Sequence, residues 1–190
     1  MTAWRSGGWL AAARAVPSPN EEARPAGSKI SLVVIHYISL PPDQFGGNWV
    51  EQFFLNRLDP GAHPSFASLA GIKVSSHFYV RRNGEIVQFV DCDRRAWHAG
   101  QSAWQGRGNC NDYSVGIELE GCDSKPFEAA QYESLWRLLE ALRERYPISG
   151  VAGHCHIAPG RKIDPGRHFN WSLVRERYPD LVLPPAEQPL

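Results

Sequence analysis

KISLVVIH, residues 29–36, is a β-branched run that is apolar on both faces of an extended chain. Such a run is typical of a central strand that other elements cover on both sides. The run ends in His36, and Leu40-Pro41-Pro42 then takes the chain out of the sheet. Because α/β sheets place ligands and reactive groups where buried strands run out into loops, His36 is a candidate site residue. A histidine that only caps the end of the strand is the alternative.

The segments that follow indicate the partners of this strand. Residues 75–81 and 86–90 are strand-like runs, and Asn83-Gly84 between them predicts a hairpin with a type I′ turn. Residues 113–121 alternate as another strand, with Val115, Ile117 and Leu119 on one face and Gly116, Glu118 and Glu120 on the other. Residues 128–146 carry an apolar stripe at helical spacing, which predicts a helix that Pro147 ends.

Shorter elements complete the pattern. We predict a helix over 48–58 behind an Asn48 cap, a short strand over 151–154, and a last helix that opens at Asn170. The sequence therefore predicts an α/β (α+β) fold, in which a single domain over residues 29–180 has a central mixed β-sheet flanked by helices. Residues 1–28 are interpreted as an N-terminal arm over this domain, and residues 181–190 as a C-terminal tail.

Composition excludes several classes of protein. The chain has 190 residues, of which 43% are hydrophobic and 21% charged, so one compact domain is expected and disorder is excluded for most of it. Its 20 Lys and Arg balance 20 Asp and Glu, so no bulk field favours nucleic acid or an anionic membrane. Its longest apolar run falls far short of the roughly 20 residues of a membrane-spanning helix. The four cysteines are not spaced as zinc pairs, and we expect free thiols.

An apolar stretch near the start of the chain, residues 9–13, lies between Arg5 and Arg14. A secretion signal needs roughly 7–15 apolar residues, which is more than this stretch provides. The sequence therefore predicts a cytoplasmic protein.

The loop GHCHIAPGRKIDPG places imidazole, ammonium and carboxylate groups between prolines and glycines that fix its path. Catalytic zinc takes three nitrogen or oxygen ligands and keeps one open position, and His36, His154 and Asp164 would supply that set. Cys155 and His156 are rival ligands. In an extended segment residues two apart face the same way, so His154 and His156 would both point at a metal.

Two carboxylates and a lysine are candidates for the chemistry beside such a metal. Glu118 lies between Ile117 and Leu119, where a buried carboxylate costs free energy unless a cation or a hydrogen bond compensates. Water activated by a metal would compensate and would make Glu118 a proton acceptor, but Glu120 on the same face is an equal candidate. Lys162 is a candidate for stabilising an oxyanion, and an exposed loop lysine is the alternative.

Several segments of the chain together resemble one family. They are VVIHYISLPP, GAHPSFA, VSSHF, RRNGEIVQFV, RAWHAG, GRGNCNDYSVGIELEG and GHCHIAPGRKIDPG. In this combination they look like the AmpD-type 1,6-anhydro-N-acetylmuramoyl-L-alanine amidases, zinc enzymes within the second N-acetylmuramoyl-L-alanine amidase family, over residues 8–171. The resemblance implies a mixed sheet flanked by helices, like that of the T7-lysozyme type amidases and the peptidoglycan recognition proteins.

The resemblance also implies roles for individual residues. It implies zinc ligands at His36, His154 and Asp164, a proton acceptor at Glu118, an oxyanion-stabilising lysine at Lys162, and muropeptide contacts from Lys73, Arg107 and Arg161. Tyr37 and His156 depart from the family, in which both positions are commonly Asn.

The activity that the resemblance implies is hydrolysis of the amide between (1,6-anhydro-)N-acetylmuramic acid and L-alanine during cell-wall recycling. The expected cofactor is Zn²⁺ and the expected partner is a small anhydro-muropeptide; we expect a monomer, with no nucleic acid and no membrane as partner. A non-catalytic binder of peptidoglycan fragments, an exported wall-trimming amidase and a structural zinc site are the alternatives. The catalytic positions are all filled, which argues against a binder. The lack of a secretion signal argues against an exported amidase, and the preference of structural zinc for four ligands argues against a structural site.

Overall fold

The computed structural model of this chain describes residues 4–186. Its strands are β1 Arg14–Ala15, β2 Glu21–Ala23, β3 Leu32–Ile38, β4 Phe78–Val80, β5 Ile86–Gln88, β6 Arg94–Ala96, β7 Ala103–Trp104, β8 Arg107–Gly108, β9 Ser114–Glu120 and β10 Gly150–Gly153. Its α-helices are α1 Trp49–Phe54, α2 Ala129–Arg145, α3 His154–Ile157 and α4 Trp171–Arg177, and 3₁₀ helices span Pro64–Leu69 and Cys110–Asp112. No helix in this part of the chain combines the length and the apolar character needed to cross a membrane.

Six strands form one mixed sheet in the order β1-β5-β4-β9-β3-β10. β3 lies between β9 and β10 and runs parallel to both, while β4 is parallel to β9 and antiparallel to β5. The predicted mixed sheet with flanking helices is therefore confirmed. Because β3, β9 and β10 are parallel, their carboxyl ends meet at one edge of the sheet, where open α/β sheets bind ligands.

β3 is covered on both faces, as its sequence predicts. Val33 and Ile35 pack in one apolar cluster with the leucines of α2. Leu32 and Val34 face the other way and pack with Ala99. Full burial of one such side chain contributes roughly 1.5–3 kcal/mol, so these contacts fix the strand between its two covering layers.

Helix α2 confirms the helix predicted over 128–146. Its buried stripe includes Leu135, Leu138, Leu139 and Leu142, which recur at the spacing of one helical face. The Glu128 backbone N–H donates to the Gln131 side chain at 3.0 Å and closes the first turn. Arg143 and Arg145 in the last turn lie at the negative end of the helix dipole.

The predicted hairpin is confirmed as the antiparallel pair β4 and β5, but the type I′ turn is wrong. A type I′ turn needs positive φ at both central residues, and here only Gly84 of the Asn83-Gly84 pair has it, at 84°. The Gly84 N–H donates to the Arg81 carbonyl and the Arg81 N–H donates to the Glu85 carbonyl. This pattern belongs to a three-residue loop in which a type I turn is followed by a left-handed glycine.

The segment predicted as an N-terminal arm is packed into the domain from residue 4 onward; residues 1–3 lie outside the described residues. β1 forms one edge of the main sheet beside β5, and β2 pairs with β6. The Arg24 guanidinium donates to the carbonyls of Cys92, Asn111, Asp112 and Ser114. Bonds to these four carbonyls attach the segment to the loop before β6, to the 3₁₀ helix over Cys110–Asp112 and to the start of β9.

Two further predictions differ in detail from the structure. The helix predicted over 48–58 is shorter, because α1 ends at Phe54, and the Asn48 side chain accepts from Gln52 rather than capping the backbone. The Asn170 cap of the last helix is present, since its side chain accepts from the backbone of Ser172 at 3.1 Å. Of the predicted tail, residues 187–190 lie outside the described part of the chain.

Candidate active site

Two histidines and an aspartate meet at the carboxyl edge of the sheet. His36 lies two residues before the end of β3, His154 begins α3 directly after β10, and Asp164 comes from the loop that follows α3. His36 Nδ1 lies 3.0 Å from His154 Nδ1 and 2.9 Å from Asp164 Oδ2, and His154 Nδ1 lies 3.0 Å from the same carboxylate oxygen. These three atoms therefore form a nearly equilateral triangle with one donor atom from each residue.

The local fold explains why Asp164 returns to His154. The Cys155 backbone N–H donates to the Asp164 carbonyl at 2.8 Å, so the loop is tied back onto the first turn of α3. Gly166, with φ of 73°, turns the chain away again, and a Cβ there would come within 3.1 Å of the Tyr37 ring. The loop thus holds the carboxylate opposite the two imidazoles.

The expectation that His154 and His156 point the same way is wrong. The strand predicted over 151–154 ends at Gly153, and His154–Ile157 is a short helix, so residues two apart diverge. His156 Nδ1 accepts from the Gly153 backbone N–H at 3.0 Å, and its ring packs edge-on against Trp171. His156 therefore closes the first turn of α3 and lies away from the triangle of donor atoms.

The donor set fits a catalytic zinc ion. Among residues 4–186, His36, His154 and Asp164 are the group of three ligand-type side chains whose donor atoms lie within 4.8 Å of one another. Zinc binds imidazole nitrogen and carboxylate oxygen, and three protein ligands leave a position for water or substrate. Hydrogen bonding with the two histidines outweighs the effect of burial on Asp164 and holds its pKa below the usual value, so the carboxylate is ionised as a ligand must be.

His36 is suited to bind a metal as a neutral ring. His36 is 1% exposed, and burial, followed by the neighbouring His154, lowers its pKa to about 4. A neutral imidazole keeps the lone pair on Nδ1 that a metal requires. Burial therefore keeps His36 in the neutral form that a metal ligand requires.

Glu118 lies beside this triangle. It is the register partner of His36 on β9 and lines the same cleft. Its Oε2 atom is buried and makes no hydrogen bond to another described residue, which is costly for a carboxylate unless a ligand or water meets it. Burial raises the pKa of Glu118 well above its usual value and Asp164 raises it further, whereas Lys162 lowers it.

Glu120, the rival carboxylate, has a different environment. It is 3% exposed, and it accepts from the backbone N–H groups of Gly46 at 2.5 Å and Arg82 at 2.9 Å. These bonds join the loop after β3 to the hairpin turn. Of the two carboxylates that alternation left open, only Glu118 lies in the cleft.

The cleft above the triangle has a volume of about 260 Å³. Besides the three ligand-type residues and Glu118, it is lined by Lys162 and by an apolar wall that includes Phe53, Leu69, Ile72, Val74 and Trp97. This wall comes from α1, from the 3₁₀ helix over Pro64–Leu69 and the loop that follows it, and from the loop after β6. The long segment over 41–73 therefore forms one side of the cleft.

The three cations predicted to contact substrate lie at different places. Lys73 lines a groove that adjoins the cleft through Phe53, Leu69 and Ile72. The Arg161 guanidinium donates to the carbonyls of Ala99 at 2.8 Å and Gln101 at 2.6 Å, and the Arg107 guanidinium lies 3.8 Å from the centre of the Tyr113 ring, in a separate groove. Among the lysines and arginines of residues 4–186, Lys162 alone is in the lining of the cleft itself.

One residue of the cleft wall has no counterpart in the predictions from sequence. His98 Nδ1 lies 2.9 Å from His36 Nε2, on the side of that ring opposite the triangle. The motif RAWHAG contains this histidine, but spacing gives no indication that it meets a residue 62 positions away.

The fold and the site together define a class of protein: an α/β enzyme with two histidines, one aspartate and a glutamate around an open cleft at the carboxyl ends of parallel strands. The family model described as N-acetylmuramoyl-L-alanine amidase matches residues 26–167. The chain belongs to this family.

Relatives and solved structures agree with the family. The chain is 53% identical over 170 residues to 1,6-anhydro-N-acetylmuramyl-L-alanine amidase AmpD of Citrobacter freundii, a match that covers 88% of this chain and 91% of that protein. It is 50% identical over 174 residues to the protein of the same name from Haemophilus influenzae, covering 90% and 92% of the two chains. A crystal structure of AmpD superposes with a TM-score of 0.88 at 52% identity, covering 91% of this chain and 98% of that one.

Proposed function

We propose that this protein is a zinc-dependent hydrolase of the amide bond between 1,6-anhydro-N-acetylmuramic acid and L-alanine in free muropeptides. The observation that carries the proposal is the triangle of His36 Nδ1, His154 Nδ1 and Asp164 Oδ2 beside the unpaired Oε2 of Glu118. Support for the substrate comes from the AmpD proteins at 50–53% identity, which are named for this amide. The related amidase AmiD of Escherichia coli, 34% identical, has a structure in complex with anhydro-N-acetylmuramic acid-L-Ala-D-gamma-Glu-L-Lys.

His36, His154 and Asp164 would hold the zinc ion. When bound, zinc supplies Lewis acidity, which makes water nucleophilic near neutral pH and polarises the carbonyl that is attacked. With two neutral imidazoles and one carboxylate as ligands, a bound zinc ion would keep a net positive charge. This charge would favour a developing anion.

Glu118 takes the proton of the attacking water. Its Oε2 is buried and has no hydrogen-bond partner among the described residues, and its raised pKa makes it a stronger base than an exposed glutamate. The same carboxyl group can then pass the proton to the nitrogen of L-alanine as the amide bond breaks. No covalent intermediate with the enzyme is needed, and Cys155 has no role in the reaction.

Lys162 donates to the carbonyl oxygen as negative charge develops on it. The lysine precedes Asp164 by two residues and lines the cleft in which the attacked carbonyl would be bound. A well-placed donor of this kind is worth roughly 3–4 kcal/mol in a water-excluded site, and less where the side chain is exposed, as Lys162 is.

The compartment follows from the substrate class. A free anhydro-muropeptide is a small anion released by wall turnover, and a cytoplasmic enzyme would meet it after import. Lys162 supplies positive charge in the cleft and Lys73 supplies it in the adjoining groove, although the chain as a whole has no formal net charge.

The proposal is tested with purified protein, an anhydro-muropeptide and intact peptidoglycan, each with and without a chelator. We expect release of free peptide from the anhydro-muropeptide, loss of that activity after chelation, and its return on addition of zinc. Mass spectrometry of the products identifies the bond that is cut. Tight binding without cleavage would contradict the proposed reaction, and efficient peptide release from intact wall material would contradict the proposed substrate.

A further inference from the structure

His98 lies directly behind His36. His98 Nδ1 is 2.9 Å from His36 Nε2, and the two rings meet edge to face, with 5.1 Å between their centres and 89° between their planes. His36 turns its other nitrogen, Nδ1, toward His154 and Asp164. One imidazole therefore faces the candidate metal site with one nitrogen and His98 with the other.

The chemistry of the neutral ring fixes where its hydrogen must be. If His36 Nδ1 offers its lone pair to a metal, the hydrogen of the neutral ring is on Nε2. His36 Nε2 then donates to His98 Nδ1. His98 carries its own hydrogen on Nε2, which lies 3.1 Å from the hydroxyl oxygen of Ser114 and donates to it. A metal at His36 Nδ1 thus determines the direction of both hydrogen bonds, from His36 to His98 and from His98 to Ser114 on β9.

The fold fixes the position of His98 in two ways. The side-chain oxygen of Asn111 accepts from the backbone N–H of His98 at 3.2 Å and of Ala99 at 2.8 Å. On β9, Gly116 leaves space for the ring, since a Cβ at that position would lie 2.5 Å from His98 Cγ. Because Asn111 fixes the backbone of His98 and the ring packs against Gly116, the ring has little freedom to turn away from His36.

The same short segment also supports the second histidine. His154 Nε2 lies 3.1 Å from the Ala99 carbonyl oxygen, so its hydrogen is held on Nε2 and its Nδ1 faces the triangle. Adjacent residues, His98 and Ala99, therefore meet the outer nitrogens of both imidazoles. Asn111 holds both of these residues through one oxygen atom.

We propose that His98 is a positioning residue for His36, accepting the Nε2 hydrogen so that Nδ1 is presented to the metal, and that Asn111 holds His98 and Ala99 in place for both histidines. This inference rests on the proposed zinc site. Outer-sphere partners of metal-binding histidines orient the ring, fix its tautomer and raise its basicity, and their loss typically costs about 10- to 100-fold in metal affinity or activity.

Two substitutions of His98 separate hydrogen bonding from ring packing. His98→Asn keeps an acceptor oxygen near the position of Nδ1, whereas His98→Leu fills similar space without an acceptor. The zinc dissociation constant of each folded variant is measured by competition with a chelator, and the visible spectrum of the cobalt-substituted protein reports the geometry of the site. We expect the Leu variant to bind zinc about 10- to 100-fold more weakly than wild type and to have an altered cobalt spectrum, with the Asn variant close to wild type.

Asn111 is tested by a second pair. Asn111→Asp keeps the oxygen that accepts from the two backbone N–H groups, and Asn111→Leu removes it. We expect the Leu variant alone to lose zinc affinity. The inference would be overturned if both Leu variants bound zinc as tightly as wild type. It would also be overturned if His98→Asn lost as much zinc affinity as His98→Leu and Asn111→Asp lost as much as Asn111→Leu.

A measurement on the wild-type zinc protein does not depend on how the variants fold. Proton–nitrogen correlation spectra of the imidazoles show which nitrogen carries hydrogen, and we expect Nε2 of His36 to be protonated and Nδ1 of His98 to be bare. The opposite arrangement would overturn the inference. If wild-type protein itself binds no zinc, the proposed function fails rather than the role of His98.

Discussion

His36 and Glu118 lie directly opposite each other on the neighbouring parallel strands β3 and β9. Strand partners of this kind are about 4.8 Å apart, so the register of the sheet alone brings a metal-binding type of side chain next to a carboxylate. His154 and Asp164 then complete the site from the far side of β3, through β10 and the loop after α3. The sheet thus determines which carboxylate can act on a ligand held at His36.

Removal of His36 tests the ligand set. We expect His36→Ala to lose stoichiometric zinc and hydrolysis together, because two ligands hold zinc far more weakly than three. Metal analysis of the dialysed protein, alongside the rate of peptide release, provides the measurement. Zinc retained at the wild-type stoichiometry would exclude His36 as a ligand.

Glu118 and Glu120 form a matched pair for testing the proton acceptor. Glu118→Gln is expected to keep zinc and lower kcat by about 100- to 10,000-fold, because the amide cannot accept the proton. Glu120→Gln is expected to lower stability by about 1–3 kcal/mol, because an NH₂ group replaces one of the two oxygens that accept from Gly46 and Arg82, while kcat of the folded protein stays near wild type. The reverse ranking of the two kcat values would show that the carboxylates have been assigned to the wrong roles.

Lys162 is expected to act on the transition state more than on substrate binding. Lys162→Met should lower kcat by about 100-fold, the lower end of the usual range for an oxyanion donor because this side chain is exposed. Lys29→Met, at an exposed lysine outside the lining of the cleft, is the control for loss of one positive charge. A change confined to KM would assign Lys162 to substrate binding instead.

His77 predicts a pH dependence of stability. Its Nδ1 accepts from the Gly116 N–H at 3.0 Å and its Nε2 lies 3.1 Å from the Arg94 carbonyl, an arrangement that requires the neutral ring. Burial, followed by the charge of Arg24, lowers the pKa of His77 well below 6.5. Below pH 6.5 the unfolded chain therefore takes up a proton that the folded chain does not, and stability falls as pH falls.

Urea unfolding of the metal-free protein at a series of pH values measures this effect. Each such histidine contributes up to about 1.4 kcal/mol per pH unit below 6.5, so His77→Asn should have a shallower decline than wild type. Above pH 7.5 the two proteins should have the same slope, because the histidine is neutral in both states. Parallel declines at acidic pH would contradict a neutral, buried His77.

The long periodic elements could be predicted from sequence alone. The run before His36, the alternation over 113–121 and the stripe of α2 each specify one element and its buried face, because burial of that face dominates the local free energy. The order β4-β9-β3-β10 could not be predicted in the same way. Parallel pairing joins segments far apart in the chain, and nothing local specifies the neighbour.

The details near the site depended on short-range geometry that has no periodicity. α3 has only four residues, too few to produce a helical pattern, so the sequence predicts an extended segment with His154 and His156 on one side. At the hairpin, Asn-Gly fits two kinds of turn, and the chain adopts the one with a single left-handed glycine. His98 was missed because its partner His36 is distant in sequence.

The zinc site itself is tested most directly by anomalous X-ray scattering from crystals of the purified protein, measured on both sides of the zinc absorption edge. The account predicts one zinc ion within about 2.0–2.2 Å of His36 Nδ1, His154 Nδ1 and an Asp164 carboxylate oxygen, with its remaining position open to the cleft. A zinc ion bound elsewhere, or one whose fourth ligand is a protein side chain such as His156, would contradict it.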